Sequence, residues 1–247
     1  MKRQGYKKIK IRGGVTLALI RNKHNNQLKR NIITKHQPKS PISEQYRTIR
    51  TNIEFSSLDE DIRTMMITSA GPGEGKSTTT ANLAVVFAQQ GKRVLLIDAD
   101  LRKPTVQYTF NVLNTRGLAN VISQQTVLTD AVQESEVENL FILTSGPIPP
   151  NPSEMLGSKA MDRVIEEATT LFDIVIFDTP PLLAVTDAQI LSNKCDGTVL
   201  VTQSKKTEKE QLLKAKELLQ SAKGKILGVV LNKMNMKKLN DYYYYGS

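Results

Sequence analysis

Residues Ala70-Gly-Pro-Gly-Glu-Gly-Lys-Ser77 have the spacing of a loop that cradles phosphate. Glycines at 71, 73 and 75 let successive backbone N–H groups turn toward one anion, and a helix opening near Lys76 adds its positive end to that field. Lys76 offers a cation to the β- and γ-phosphates, and Ser77 offers a hydroxyl to Mg²⁺. Gly71, Gly73, Glu74, Gly75, Lys76, Ser77 and Thr78 are therefore the predicted nucleotide-binding residues, with Mg·ATP as the ligand. Ala70 stands where the strict pattern has Gly.

Two further stretches end in acids. Val94-Leu-Leu-Ile-Asp98-Ala-Asp100 and Ile174-Val-Ile-Phe-Asp178 are apolar runs closed by carboxylates, and as parallel strands they would bring those acids beside the loop. Carboxylates near a polyphosphate repel it unless Mg²⁺ offsets the charge, so Ser77, Asp98, Asp100 and Asp178 are the predicted metal set. Acids that cap strand ends for solvation are the plainer alternative. Asn232, after the last apolar run, is a candidate contact to adenine, although an Asn ending a strand is ordinary turn chemistry. Tyr242, Tyr243, Tyr244 and Tyr245 lie near the end of the sequence. Burying four adjacent phenols would need a partner for each, so a tail is the better reading. The 15 residues from Lys233 to Ser247 span at most about 50 Å when extended, enough to enter a neighbouring molecule.

The elements that would position these groups follow from periodicity. Strands are expected at Met65–Ser69, Val94–Asp98, Leu140–Thr144, Ile174–Asp178, Thr198–Thr202 and Ile226–Leu231. Helices are expected at Lys76–Gln90, Val127–Glu134, Ser153–Thr170, Asp187–Asn193 and Thr207–Ala222, with Gly91 ending the first of them. Continuous apolar strands alternating with helices imply an α/β fold, a doubly wound and mostly parallel sheet of the phosphate-loop NTPase kind, with chemistry at the strand C-termini. Upstream, Ile42, Tyr46, Ile49 and Ile53 form one stripe of an amphipathic helix over residues 42–56. Gly146-Pro-Ile-Pro-Pro-Asn-Pro152 reads as a stiff connection.

Length and composition, with 39% hydrophobic and 23% charged residues, describe one ordinary globular unit. The expected division is a flexible basic arm at 1–37, a domain at 38–232 and a flexible tail at 233–247. Residues 1–39 hold twelve Lys or Arg and no acid, whereas the remainder has 22 basic against 24 acidic residues. Such an arm suits anionic lipid headgroups or an acidic partner, or is a solvated tail; without interleaved aromatics, nucleic acid is the weakest option. The apolar run Val15–Ile20 is too short to span a membrane or serve as most secretory leaders, so a cytoplasmic location is expected. Cys195 is the single cysteine, which excludes an intramolecular disulfide and suits a small core residue. His24 and His36 have no catalytic context.

Taken together, the phosphate loop, the motif Leu-Ile-Asp98-Ala-Asp100-Leu-Arg-Lys-Pro104, the strand end Ile-Phe-Asp178-Thr-Pro-Pro181 and the tyrosine run resemble the bacterial tyrosine kinases of capsular and exopolysaccharide synthesis, in their stand-alone Gram-positive form. The resemblance covers about residue 38 to the end. It implies autophosphorylation of Tyr242–Tyr245 by another copy, with Lys76 and Asp98 as the catalytic pair, Asp98 being base or metal ligand. It implies a ring-shaped homo-oligomer built with a Glu-x-x-Arg-x-x-Arg motif, met here by Glu44, Arg47 and Arg50. From spacing alone those three read as a solvated stripe of intrahelical pairs on the side away from Ile42, Ile49 and Ile53. It further implies other protein-tyrosine substrates, an opposing tyrosine phosphatase, and recruitment to the inner membrane face by a membrane-anchored modulator of the polysaccharide co-polymerase type. The rivals are a switch ATPase of the kind that partitions plasmids or places division sites, and a nucleotide-gated scaffold.

Overall fold

A computed structural model of the chain describes residues 7–10, 16–19, 30, 32–56 and 61–234, the first two segments by backbone alone. Tyr242–Tyr245 and most of the basic arm lie outside the described residues. Near the N-terminus, β1 (Lys7–Lys10) and β2 (Thr16–Leu19) pair antiparallel.

The body then runs α1 (Ile33–His36), α2 (Pro41–Phe55), β3 (Thr64–Ser69), α3 (Lys76–Ala88), β4 (Val94–Asp98), α4 (Val106–Phe110), α5 (Leu118–Ile122), α6 (Leu128–Ala131), β5 (Gln133–Glu134) and β6 (Leu140–Leu143). It continues through α7 (Pro152–Gly157), α8 (Lys159–Leu171), β7 (Ile174–Asp178), α9 (Asp187–Ser192), β8 (Gly197–Gln203), α10 (Lys209–Ser221) and β9 (Ile226–Asn232). Seven strands form one sheet in the order β5-β6-β4-β7-β3-β8-β9, parallel except for β5. All six expected strands are present within two residues of their expected bounds.

Alternation along the strands divides the interior in two. Leu95, Ile97, Val175 and Phe177 face a core closed by α5, α6, α8, α9 and α10. Val94, Leu96, Ile174 and Ile176 face a second core with α2 and α3. α3 lies between the sheet and the N-terminal helices, so nearly all of it is buried, from Thr79 to Ala88 without a break. A helix so enclosed is a fixed platform for the loop that precedes it.

Three expectations about the elements need correction. The helix expected at Val127–Glu134 stops at Ala131, because Val132 turns extended (ψ 137°) and the chain adds the antiparallel edge strand β5. The helix expected at Ser153–Thr170 is two helices, parted where Ser158 takes ψ 158° and its hydroxyl accepts the Met161 N–H as the N-cap of α8. The end of the presumed flexible arm is folded: Ile32 and Thr34 are buried, and Thr34 N and Oγ1 donate to Asn82 Oδ1 of α3 at 3.0 and 2.9 Å. Gly91 takes φ +95° beyond α3, as expected of a helix-ending glycine.

The stripe on α2 is also rearranged. Glu44 and Arg47 pair within the helix, and Arg47 Nη2 donates to Pro38 O at 2.8 Å. Arg50 turns inward, donating to Val86 O near the end of α3 at 2.9 Å. Ile42, expected inward, is 40% exposed, while Ser43 is buried and donates to Gln37 O.

Candidate active site

β3 delivers the loop and α3 receives it. Gly75 takes φ +103°, a conformation that side chains rarely enter, and a Cβ there would lie 1.9 Å from Asn232 Nδ2. Asn232 arrives because β9 pairs with β8 through Gln203 and ends beside the loop. Its Nδ2 donates to Glu74 O at 2.9 Å, so the residue expected at adenine sits against the loop backbone. The Glu74 side chain is buried, and its Oε1 accepts from Thr207 Oγ1 at 2.8 Å. Only its main chain is placed to serve an anion. Gly71, Gly73 and Thr78 hold the expected positions along the turn and the first turn of α3.

The acids converge because β4 and β7 are adjacent and in register, with Asp98 opposite Asp178. Both are fully buried. Lys76 Nζ lies 3.5 Å from Asp100 Oδ2, 3.6 Å from Asp178 Oδ1 and 3.1 Å from Ser77 Oγ. Lys76, Ser77, Asp100 and Asp178 thus meet at one point, with Asp98 beside them. In this arrangement the Lys76 ammonium offsets the carboxylates, and a bound polyphosphate would compete with them for it.

The acids differ in their partners. Asp98 Oδ2 accepts from the N–H groups of Thr105 and Val106 at 2.8 and 2.9 Å, and Oδ1 from Asp100 N at 3.2 Å. Burial, then the neighbouring Asp178, push the Asp98 carboxyl up from 3.8 to about 7, against the pull of those N–H donors and Lys76. Asp100 is also raised by burial, with Lys76 opposing. Its Oδ1 accepts from Lys103 N at 3.0 Å. Asp178 Oδ1 lies 3.3 Å from Thr80 Oγ1, but Oδ2 is buried with no hydrogen-bond partner. An orphaned buried carboxylate oxygen fits a hard cation, and the Ser77 hydroxyl approaches the same Lys76 ammonium that Asp178 does. Among the described residues, no three His, Cys, Asp or Glu side chains form a metal-holding cluster of their own. Ser77, Asp98, Asp100 and Asp178, the set expected to hold Mg²⁺, thus stand around the mouth of the loop without closing a cage of their own, so the nucleotide would have to complete the coordination.

Several contacts to the site have no announcing motif. Lys233 Nζ donates to Gly73 O and Gln203 Oε1, both at 3.1 Å, and Lys206 Nζ stands 3.7 Å from where a Gly73 Cβ would be. Arg102 holds buried Asp187 with two bonds, of 2.9 and 3.0 Å, and reaches Ser153 Oγ at 2.9 Å. That clamp fixes the segment between β4 and α4 to α7 and α9.

The sequence is 58% identical over 228 residues to tyrosine-protein kinase YwqD of Bacillus subtilis (strain 168), covering 92% of this chain and 96% of that protein. The chain belongs to the bacterial tyrosine-kinase family. Among solved structures, the chimerical protein CapA2B2 superposes with a TM-score of 0.80 at 44% identity, over 83% of this chain and 92% of that one. Residues 62–229 also match the family described as AAA domain. The cell division ATPase MinD of Pyrococcus furiosus shares the fold less closely, with a TM-score of 0.60 at 26% identity over 68% of this chain and 71% of that one. The doubly wound phosphate-loop architecture is common to both groups, and the kinase relatives are nearer in identity and coverage. Among the described residues, no helix is long and apolar enough to cross a membrane.

Proposed function

We propose that the chain transfers the γ-phosphoryl group of ATP to tyrosine phenols, beginning with Tyr242–Tyr245 of another copy. The observation that carries this reading is the meeting of Lys76 with Asp100 and Asp178 at the mouth of the phosphate loop, beside a buried Asp98. Transfer through a loose transition state asks mainly for positioning and charge neutralisation. The loop N–H groups and Lys76 hold the β- and γ-phosphates, and Ser77 and Asp178 are the residues that would hold Mg²⁺, which neutralises phosphate charge when bound. The phenol oxygen bonds to the γ-phosphorus as the bond to the bridging oxygen of ADP breaks. The phenol proton passes to Asp98, whose pKa of about 7 suits a group that must take and release a proton near neutrality.

In this reading the chain works as a ring-shaped homo-oligomer on the inner membrane face, where a membrane-anchored modulator activates it, and a tyrosine phosphatase resets it. Its output is control of capsular or exopolysaccharide synthesis through protein-tyrosine substrates. Glu44 and Arg47, on the outer side of α2, supply the intersubunit charge, and Arg50 braces that helix on α3. The test is incubation of the purified chain with Mg·ATP followed by phosphotyrosine detection. Signal is expected from the wild type, and none from Lys76→Met or from the chain with all four tail tyrosines changed to Phe. Absence of phosphotyrosine, even with the modulator's cytoplasmic segment added, refutes the kinase reading and leaves a switch ATPase or scaffold.

A further inference from the structure

α4 has five residues, too few for its own hydrogen bonds to keep it formed. Yet its first N–H groups, on Thr105 and Val106, are what orient Asp98 Oδ2. Thr105 makes no side-chain cap of its own, so the carboxylate and the helix end hold each other. Whatever fixes Thr105 therefore fixes Asp98.

Three groups close on the Thr105 carbonyl: Tyr108 N at 3.2 Å, Thr109 Oγ1 at 3.3 Å and Arg30 Nη1 at 3.4 Å. Arg30 Nη1 also donates to Thr109 Oγ1 at 3.1 Å. The guanidinium thus ties the start of α4 to its last turn from far away in the sequence. Arg30 can do so because the chain just after it is anchored. Ile32 is buried, Thr34 bonds Asn82, Gln89 Nε2 donates to Thr34 O at 3.1 Å, and Lys35 pairs with Glu136. One short strap therefore grips both α3, which carries the phosphate loop, and α4, which orients the acid.

We infer that Arg30 is a positioning residue for Asp98: by clamping α4 it keeps the carboxylate aimed during phosphoryl transfer. The inference rests on Asp98 acting in that transfer, and the experiment keeps the two apart. The full chain is compared with Arg30→Ala, Arg30→Lys, Thr109→Val, the Arg30→Ala/Thr109→Val pair and Asp98→Asn. For each, the maximal rate of phosphotyrosine formation, the half-saturating Mg·ATP concentration, the ADP affinity and the Tm are measured.

Arg30→Ala should lower the maximal rate about tenfold, the scale expected of a small misplacement of a reacting group, while half-saturating ATP and ADP affinity stay within about twofold. Arg30→Lys, which keeps a donor for Thr109, should recover much of the rate. Thr109→Val should slow transfer by itself and add little to Arg30→Ala, because both changes act on one clamp. An Arg30→Ala chain at the wild-type rate, with Asp98→Asn inactive, overturns the clamp and spares the reading of Asp98. Weaker nucleotide binding or a lower Tm at an unchanged maximal rate also overturns it, because the residue would then be structural only. Full activity in Asp98→Asn overturns both. Should Arg30→Ala fail to fold, Arg30→Lys and Thr109→Val decide: wild-type rates in both refute the clamp, and a slowed Thr109→Val supports it.

Discussion

Replacing Asp98 with Asn should stabilise the nucleotide-free protein at neutral pH while removing its activity. The side chain is 0% exposed and sits in register with Asp178, so its ionised form is disfavoured by burial and by a like charge. Its pKa lies near 3.8 in an unfolded chain and about 7 here, a difference equivalent to about 4 kcal/mol. The folded state binds the extra proton. Stability from this group is therefore full below about pH 4, and is lost as pH rises through about 7. Asparagine never ionises and escapes that loss. It also turns an amide toward one of the backbone donors that Asp98 accepts, at a cost of about 1 to 2 kcal/mol. Taking the larger amide cost, the net expectation is about 2 kcal/mol in favour of Asn at pH 8. For a chain of this length that corresponds to roughly 4 to 8 °C in Tm. The measurement is denaturant or thermal unfolding in EDTA, without nucleotide, at steps from pH 4.5 to 8.5. The advantage should shrink toward acid and vanish or reverse near pH 4.5. An Asn variant that is less stable at pH 8, or an advantage that does not change with pH, refutes the assignment of a strained carboxylate.

Gly75→Ala should cost at least about 1 to 2 kcal/mol from its φ of +103° alone, and more from the contact with Asn232, with ADP affinity by calorimetry falling more than tenfold. Arg102→Ala leaves the fully buried Asp187 with Ser153 as a remaining donor, so a loss of about 2 to 3 kcal/mol in denaturant unfolding is expected. Phosphorylation of the tail adds roughly −1.5 to −2 charge per tyrosine at adjacent positions, and should lower the oligomer mass in light scattering. An unchanged mass rejects that model.

Much of the fold can be read in the sequence because parallel strands covered on both faces are apolar at every position, as Val94–Ile97 and Ile174–Phe177 are. β5 could not be found this way. Gln133 and Glu134 form a two-residue polar edge whose only signal is pairing with Ile142 and Phe141. The helix expected there is real but short, burying only Leu128 and Ala131 before the chain turns extended. In the site, the phosphate loop and the acids were legible because their chemistry dictates their types and spacing. The partners that set their properties were not. Asn232 is set against Glu74, and Thr34 against Asn82, by tertiary packing alone. A polar residue's distant partner leaves no periodicity behind.

The same packing bears on how assembly and chemistry communicate. α2 carries the charged residues assigned to oligomer contacts on its outer side, and through Arg50 it reaches the carbonyl of Val86 near the C-terminal end of α3. Thr34 reaches Asn82 midway along α3, and Lys76 and Ser77 begin it. A 13-residue helix spans about 20 Å, and one buried on nearly every side moves as a body rather than bending. A force on α2 is therefore delivered to the phosphate loop through a single rigid element, with Arg50 as the linkage. Arg50→Ala should then weaken ADP binding even under dilute conditions where the chain is monomeric. Glu44→Ala and Arg47→Ala should leave monomer affinity intact and change only the mass. If all three substitutions affect assembly alone, α3 does not carry the coupling.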